Sequence, residues 1–366
     1  MHVVHVASGL EWRGAERQLR LLARGLARQG VPQTVVTGRD STLARHLAAD
    51  GVALHAVPWA APLDPRALPA LVRETHRAGA VVHTHDAHAL ALVAAAEALG
   101  GAPVVATRRL LRPRRAETLW RRADAVVATS EAVRARLLRR DFDSTRIVVI
   151  PPGVAAGELR RADGAGVRAA LGLPPEGPLA VALGGYAEEH GHALLLRAAE
   201  RLAIVAPRLH WVLAGDGAGR RTLAREAAAL GLADRVRVIP APEEPAMLLA
   251  AASLFVLASW HEDYDPALLD AMALGVPVVA TRTPTHVELV GDAAGLLVPR
   301  DEPATLADAV HRLILEPAFA EVLVRAASAR VAHFDLGRLV AAHLSVYRSL
   351  GSVPDGPVPD RAREGA

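Results

Sequence analysis

Cysteine is absent from the 366 residues, so disulfides, thiolate nucleophiles and thiolate metal ligands are all excluded. Lysine is absent as well, and all 42 basic residues are arginine. Arginine keeps its proton at physiological pH, which contributes to the pI near 10.0. The formal net charge is only +3, so the composition predicts no nucleic-acid partner.

Aromatic residues make up 3% of the chain while 51% is hydrophobic, so the core must be built mainly from alanine, valine and leucine. No stretch approaches the ~18 consecutive apolar residues that a membrane-spanning helix needs. The first residues, MHVVHVASGLEW, lack the basic start and long apolar run of a secretory signal. We therefore expect a cytoplasmic protein, whose membrane contact would be peripheral and at the inner face.

Short valine-rich runs alternate with stretches of helical period in both halves of the chain. Runs of this length between turn residues predict buried parallel strands. A helix is predicted over 15–29, where Leu19, Leu22 and Leu26 recur at i, i+3 and i+7. The predicted strands cover 3–6, 35–37, 81–83, 104–107, 125–129 and 147–150 in the first half, and 179–183, 209–214, 236–239, 254–258, 276–280 and 296–298 in the second.

This alternation predicts an α/β protein with two Rossmann-like, doubly wound domains that face each other across a cleft. The first domain is predicted over 1–160 and the second over 161–335, followed by a last helix over 336–350. Residues 351–366 are rich in proline, glycine and charge and are predicted to be disordered. Such sheets bind ligands at the carboxyl ends of their strands, so the cleft is the predicted site.

A series of motifs in the second half carries the most specific signal. In chain order these are the segments 213–217 and 251–259, Glu262, the segments 270–273 and 275–280, and Glu288. The first half adds the segments 14–16, 83–85, 123–130 and 150–154. Their order and spacing over roughly residues 1–350 resemble the family 4 glycosyltransferases. The resemblance implies a GT-B arrangement of the domains and a last helix that returns to the first domain.

Two acids, Glu262 and Asp270, are separated by seven residues, as are the paired acids of that family. The resemblance implies that Glu262 meets the donor sugar as a catalytic residue and that Asp270 holds the nucleotide ribose. A carboxylate suits a ribose because it accepts hydrogen bonds from two neighbouring hydroxyls. Pro266 predicts a helix start, which places Asp270 about one turn in and facing the cleft. Two solvated acids at a helix start are the alternative.

Several donor positions depart from the family pattern. Asp270 replaces the usual glutamate and is shorter by one methylene, and Asp263 and Asp265 replace the glycines on either side of Tyr264. The resemblance still places Tyr264, Asp265 and Pro266 at the donor, although two further carboxylates would repel a diphosphate.

The family neutralises the donor diphosphate with an arginine and a lysine after the first strand of the second domain. Here Gly185 lies in the segment where the family has the arginine, and His190 lies at the position of the lysine. A histidine binds phosphate when it is protonated, which at neutral pH is only partial for an unperturbed imidazole. The resemblance also places Gly215 in the donor site, and a loop without a phosphate role is the alternative.

The first half contributes His85 and Gly14. His85, with His83, ends a strand predicted to face the cleft, where the family has a histidine that contacts the transferred sugar. A packed or solvated imidazole is the alternative. Gly14 lies where the family has a glycine pair whose backbone amides approach phosphate or acceptor, and it is assigned to the donor site. The 16 histidines show no metal-ligand spacing, so no metal and no cofactor besides a nucleotide-sugar co-substrate are expected.

The segment Arg108–Arg122 combines many arginines with Leu110, Leu111 and Trp120. Such a segment is suited to an anionic lipid surface or an acceptor phosphate. A solvated helix face in an arginine-rich chain is the alternative.

The resemblance implies transfer of a hexose-type unit from a UDP- or GDP-sugar, with retention of configuration and without a metal. The expected acceptor is lipid-linked or a glycan. Two other functions stay open. One is a non-catalytic binding or scaffold subunit of the same fold, and the other is a nucleotide-sugar epimerase of similar fold.

Overall fold

The computed structural model describes residues 1–59, 63–97, 101–109, 117–260 and 265–351. The first sheet consists of β1 (His2–Ala7), β2 (Gln33–Gly38), β3 (Leu54–Val57), β4 (Ala80–Thr84), β5 (Val104–Arg108), β6 (Ala125–Ala128) and β7 (Ile147–Val149). All strands are parallel, in the order β3-β2-β1-β4-β5-β6-β7. The order reverses between β1 and β4, so a ligand site is expected beyond their carboxyl ends.

Helices connect these strands and cover both faces of the first sheet. They are α1 (Gly14–Arg28), α2 (Thr42–Ala49), α3 (Leu68–Thr75), α4 (Ala87–Glu97), α5 (Glu117–Trp120) and α6 (Glu131–Leu138). Two short helices, α7 (Ala156–Leu159) and α8 (Val167–Ala170), lead to the second domain.

The second sheet is also parallel and consists of β8 (Leu179–Leu183), β9 (His210–Gly215), β10 (Val236–Pro240), β11 (Leu254–Leu257), β12 (Val278–Thr281) and β13 (Leu296–Val298). Its order is β10-β9-β8-β11-β12-β13, with β10 at one edge. The helices are α9 (His192–Val205), α10 (Arg220–Ala229), α11 (Ala246–Ala250), α12 (Pro266–Ala273), α13 (Pro284–Val290), α14 (Pro303–Leu315), α15 (Pro317–Val331) and α16 (Leu336–Gly351).

Each sheet is buried on both faces, because successive side chains along a strand point in opposite directions. On β1, Val4 joins the core under α3 and α4, whereas Val3 joins the core under α1 and α16. The last helix therefore packs on the first domain, where Tyr347 is fully buried. A Cβ atom on Gly25 of α1 would lie 2.4 Å from Val340 of α16, so glycine permits the close approach of these helices.

The predicted two-domain, doubly wound α/β architecture is confirmed, and each predicted strand is present within about two residues. Strand β3 was not predicted. The domain boundaries at 160 and 335 stay predictions, and residues 352–366 of the predicted tail lie outside the described residues. Within the described ranges, no helix combines the length and the apolar character needed to span a membrane.

Candidate functional site

The N-terminal ends of α1 and α12 meet across the cleft, so each domain contributes one helix start. A Cβ atom on Gly14, the first residue of α1, would lie 3.1 Å from the Pro266 side chain at the start of α12. Asp265 caps α12, since its carboxylate accepts a hydrogen bond from the Ala267 amide at 2.9 Å. Glycine at position 14 therefore allows the two helix starts to touch.

Asp270 lies one turn into α12, as predicted, and its side chain is only 9% exposed. Its Oδ2 atom is 2.6 Å from Nη2 of Arg17, which belongs to α1 of the other domain. The predicted ribose-binding carboxylate thus forms an ion pair across the cleft. Arg17 was not among the predicted site residues, although it lies one helical turn after Gly14 and so shares its face of α1.

The loop after β8 brings Gly185 and His190 together. Cβ atoms on Gly184 and Gly185 would each lie 3.0 Å from a ring nitrogen of His190, so the imidazole lies against both glycines. Gly185 also accepts a hydrogen bond at its carbonyl from Nε2 of His192, at 2.9 Å. Gly185 and His190 therefore lie in contact in one loop, and their donor role stays a prediction.

Gly215 ends β9 beside this loop. A Cβ atom there would lie 1.8 Å from the Gly184 carbonyl oxygen, so only glycine fits without moving the loop. The structure thus gives Gly215 a packing role that is independent of its predicted donor role.

A buried histidine network lies at the carboxyl end of β4. Nδ1 of His5 is 3.0 Å from Nε2 of His85, and His83 bonds to the Tyr347 hydroxyl at 2.7 Å and to Thr107 at 2.6 Å. Burial lowers the pKa of His5 to about 3 and the pKa values of His83 and His85 well below the usual range. These imidazoles are therefore neutral at pH 7.

The expectation that His83 faces the cleft is wrong, because its side chain is fully buried and hydrogen-bonded at both ring nitrogens. It points inward because it lies within β4, whereas His85 follows the strand. Ring nitrogens of His5, His83 and His85 all lie within 4.8 Å of one another, which is compatible with metal binding. The hydrogen bonds already made by His83 and His85 fit a neutral network better.

A small cavity of about 30 Å³ lies between His85 and α16 in the first domain. Its polar lining consists of Gln18, His85, Thr107, Arg109, Thr129 and His343. The Arg109 guanidinium donates a hydrogen bond to the His85 carbonyl, so a cation lies beside this histidine. Gln18 was not predicted as a site residue, whereas Arg109 lies in the arginine-rich segment suggested for a lipid surface or an acceptor phosphate.

Asp86 fixes the turn that carries His85. Its carboxylate accepts hydrogen bonds from the Ser8 amide and hydroxyl, and from the amides of His88 and Ala89 at the start of α4. The ends of β1 and β4 are thereby tied together at the cleft. This support could have been expected from an aspartate at a helix start.

Two predicted site residues, Glu262 and Tyr264, lie outside the described residues, as do Leu110 and Leu111 of the arginine-rich segment. The prediction of Trp120 as a membrane anchor is wrong, because this residue is 3% exposed and packs in the core under α4. The buried Arg108 guanidinium lies 5.1 Å from its ring. These two residues therefore belong to the interior of the domain.

Two doubly wound domains with helix starts from both at a shared cleft define a protein of the GT-B architecture. The family model described as Glycosyltransferase Family 4 matches residues 12–157, and the one described as Glycosyl transferases group 1 matches residues 177–316. A D-inositol 3-phosphate glycosyltransferase of Kineococcus radiotolerans is 30% identical, over 100% of this chain and 91% of the relative. The chain belongs to the family 4 glycosyltransferases.

Another similar relative is the D-inositol 3-phosphate glycosyltransferase of Salinispora arenicola, 32% identical over 72% of this chain. That match spans 62% of the relative's length, and a match to the Streptomyces bingchenggensis protein spans 60%. Among solved structures, Anabaena HepE with UDP and glucose has a TM-score of 0.85 at 21% identity, covering 96% of this chain and 100% of that one. Sucrose-phosphate synthase of Thermosynechococcus elongatus has a TM-score of 0.80 at 21% identity, covering 96% and 99%. These likenesses show the shared fold.

Proposed function

We propose that the protein transfers a sugar from a nucleoside-diphosphate sugar to an acceptor hydroxyl. The observation that carries the proposal is the buried Asp270 carboxylate, one turn into α12 and at the contact between the two domains. A carboxylate there accepts hydrogen bonds from the two ribose hydroxyls of a bound donor. Relatives named as glycosyltransferases and a UDP-bound structure of the same fold support this assignment.

The donor site proposed here extends from Asp270 toward the loop after β8. Pro266 and the start of α12 lie next to the diphosphate, since helix N-termini attract anions. His190, which lies against Gly185, is assigned to the diphosphate by the family pattern. Glu262 and Tyr264 are assigned to the donor sugar by the family pattern alone.

The reaction proposed retains the anomeric configuration and needs no metal. Cleavage of the bond from sugar to phosphate builds positive charge on the sugar and negative charge on the departing diphosphate. Fixed donors and cations at the helix starts stabilise the diphosphate, which lowers the barrier to cleavage. His85 is assigned to the sugar on the first-domain side by the family pattern alone, since its imidazole is buried and bonded to His5.

For the acceptor we propose a small polyol phosphate rather than a lipid-linked substrate or a glycan. Arg109 supplies a cation beside His85, and a guanidinium suits phosphate. Relatives named D-inositol 3-phosphate glycosyltransferases agree with this choice. The buried Trp120 removes one anchor on which a lipid-facing surface would have depended.

The test is a donor and acceptor screen with UDP-glucose, UDP-N-acetylglucosamine and GDP-mannose, each with inositol phosphate, a lipid-linked sugar or no acceptor. The expected product is a sugar joined to inositol phosphate, with the anomeric configuration of the donor as determined by NMR. It should form equally well in the presence of EDTA. Donor binding without turnover would support a non-catalytic subunit instead. Interconversion of donor epimers without an acceptor would support an epimerase.

A further inference from the structure

The donor site lacks the two cations that its family places on the second domain, since Gly185 and His190 lie at those positions. A diphosphate carries at least two negative charges, and a site for it needs compensating donors or cations. Helix starts supply part of this compensation. Asp265 works against it, because it brings a carboxylate to the start of α12. A cation from elsewhere in the cleft would supply the rest.

Arg17 is the arginine that the structure brings to this place. It extends from α1 of the first domain and ends 2.6 Å from Asp270 of the second. Its side chain is 24% exposed, so the guanidinium lies at the wall of the cleft and not in a core. Within the described residues, Asp270 is the one partner of the Arg17 side chain. The contact involves only the Nη2 atom of the guanidinium.

We propose that Arg17 holds the diphosphate of the bound donor, so that the first domain supplies the cation missing from the second. The inference rests on the proposed function and names the chemical class of its ligand, a nucleoside diphosphate. A guanidinium has five N–H donors in one plane, so it can keep a bond to Asp270 and donate the others to a phosphate. An ammonium group lacks this planar, two-sided arrangement.

The position of Arg17 fits this role. Gly14 touches Pro266 at the start of α12, and Arg17 lies one turn further along α1, just as Asp270 lies one turn further along α12. The guanidinium therefore lies beside the ribose carboxylate, one turn along α1 from the contact between the two helix starts.

A different role for Arg17 predicts the opposite change in nucleotide affinity when the residue is removed. If Arg17 served only to occupy Asp270 in the donor-free protein, a ribose would have to displace it. Removing Arg17 would then free the carboxylate and tighten nucleotide binding. If Arg17 holds the diphosphate, its removal weakens binding, and the loss grows with the number of phosphates on the nucleotide.

The experiment is calorimetric titration of UDP, UMP and uridine, and of GDP, GMP and guanosine, into wild type, Arg17→Gln, Arg17→Lys and Arg24→Gln. Arg17→Gln is expected to weaken diphosphate binding about tenfold or more, the scale of one lost charged contact, and nucleoside binding far less. Arg17→Lys should bind more tightly than Arg17→Gln because it keeps the charge. Arg24→Gln is the matched control, since Arg24 on the same helix pairs with Glu158 and not with Asp270.

Equal or tighter diphosphate binding in Arg17→Gln, with wild-type binding intact, would overturn the inference and leave the proposed function standing. Wild type that binds neither diphosphate would contradict the proposed function itself. If Arg17→Gln does not fold, Arg17→Lys decides, because a lysine that binds UDP, UMP and uridine with wild-type affinities contradicts the need for a guanidinium.

Discussion

Glu288 of the second domain accepts a hydrogen bond from the backbone amide of Ala132 in the first, at 2.8 Å. Its other carboxylate oxygen accepts one from the Glu131 amide, also at 2.8 Å. Both amides belong to the first turn of α6, whose positive end favours a carboxylate. This contact joins the domains on the side of the cleft away from α2.

We expect Glu288→Gln to loosen the contact between the domains. An amide lacks the negative charge and has a single acceptor oxygen. The free energy of interaction between the domains should therefore weaken by about 1–2 kcal/mol. The measurement is the radius of gyration by small-angle X-ray scattering, which should rise in the variant. Glu321→Gln on the exposed face of α15 is the control, with 75% of the Glu321 side chain exposed. Identical scattering of Glu288→Gln and wild type would contradict the expectation.

The family pattern gives Glu262 a catalytic role, so Glu262→Gln should lower sugar transfer about 10²-fold or more. That is the scale of one lost transition-state electrostatic contact. The free energy of unfolding should change little, and Glu321→Gln again serves as the control. Transfer at the wild-type rate by a folded Glu262→Gln protein would remove Glu262 from the reaction.

Because of the buried histidines, we expect acid to destabilise the protein at pH values well above those at which carboxylates titrate. Burial lowers the pKa of His343 to about 4, whereas an unfolded histidine titrates near 6.5. Between these values the unfolded chain takes up a proton that the folded chain does not. The free energy of unfolding therefore falls as pH drops from about 6.5 toward 4.

His343→Gln should abolish the uptake of this proton by the unfolded chain. The glutamine amide can still donate a hydrogen bond to the Leu339 carbonyl, as His343 does at 2.9 Å. Between pH 7.5 and 5.5 the variant should lose about 1 kcal/mol less stability than wild type. Urea unfolding at both pH values measures this difference. The exposed His333 gives the control variant His333→Gln, and equal slopes for His343→Gln and wild type would refute the assignment.

Two glycines differ sharply in the space around them. Gly215→Ala should lower the free energy of unfolding by about 1–3 kcal/mol or more, because its Cβ would collide with the Gly184 carbonyl oxygen. Gly157→Ala in α7 meets nothing within 4 Å and should leave stability unchanged or raise it by up to about 1 kcal/mol. Chemical unfolding of both variants tests the pair, and a neutral Gly215→Ala would show that the loop after β8 yields easily.

Much of the fold could be predicted because its strands are buried on both faces and appear as continuous valine-rich runs. Helix α1 was predicted one residue from its observed bounds, since Leu19, Leu22 and Leu26 mark its buried face. Strand β3 was missed because it has four residues, three of them partly or fully exposed, with His55 in the middle. A short edge strand carries no distinctive pattern of its own.

Prediction of the site was limited by contacts that join distant parts of the chain. The place of Asp270 on α12 follows from Pro266, which starts the helix. Its partner Arg17 is 253 residues away, and no spacing rule connects the two. His83 was misplaced for a similar reason, because its partner Tyr347 lies on the last helix.

The edge position of β10 also affects how copies of the protein meet one another. An open strand edge invites strands from neighbouring molecules to add on, which begins aggregation. Pro240 has no N–H to offer such a strand, and Arg237 places a charge on the same edge. These two residues make the second sheet a poor template for β aggregation, even where the protein is highly concentrated.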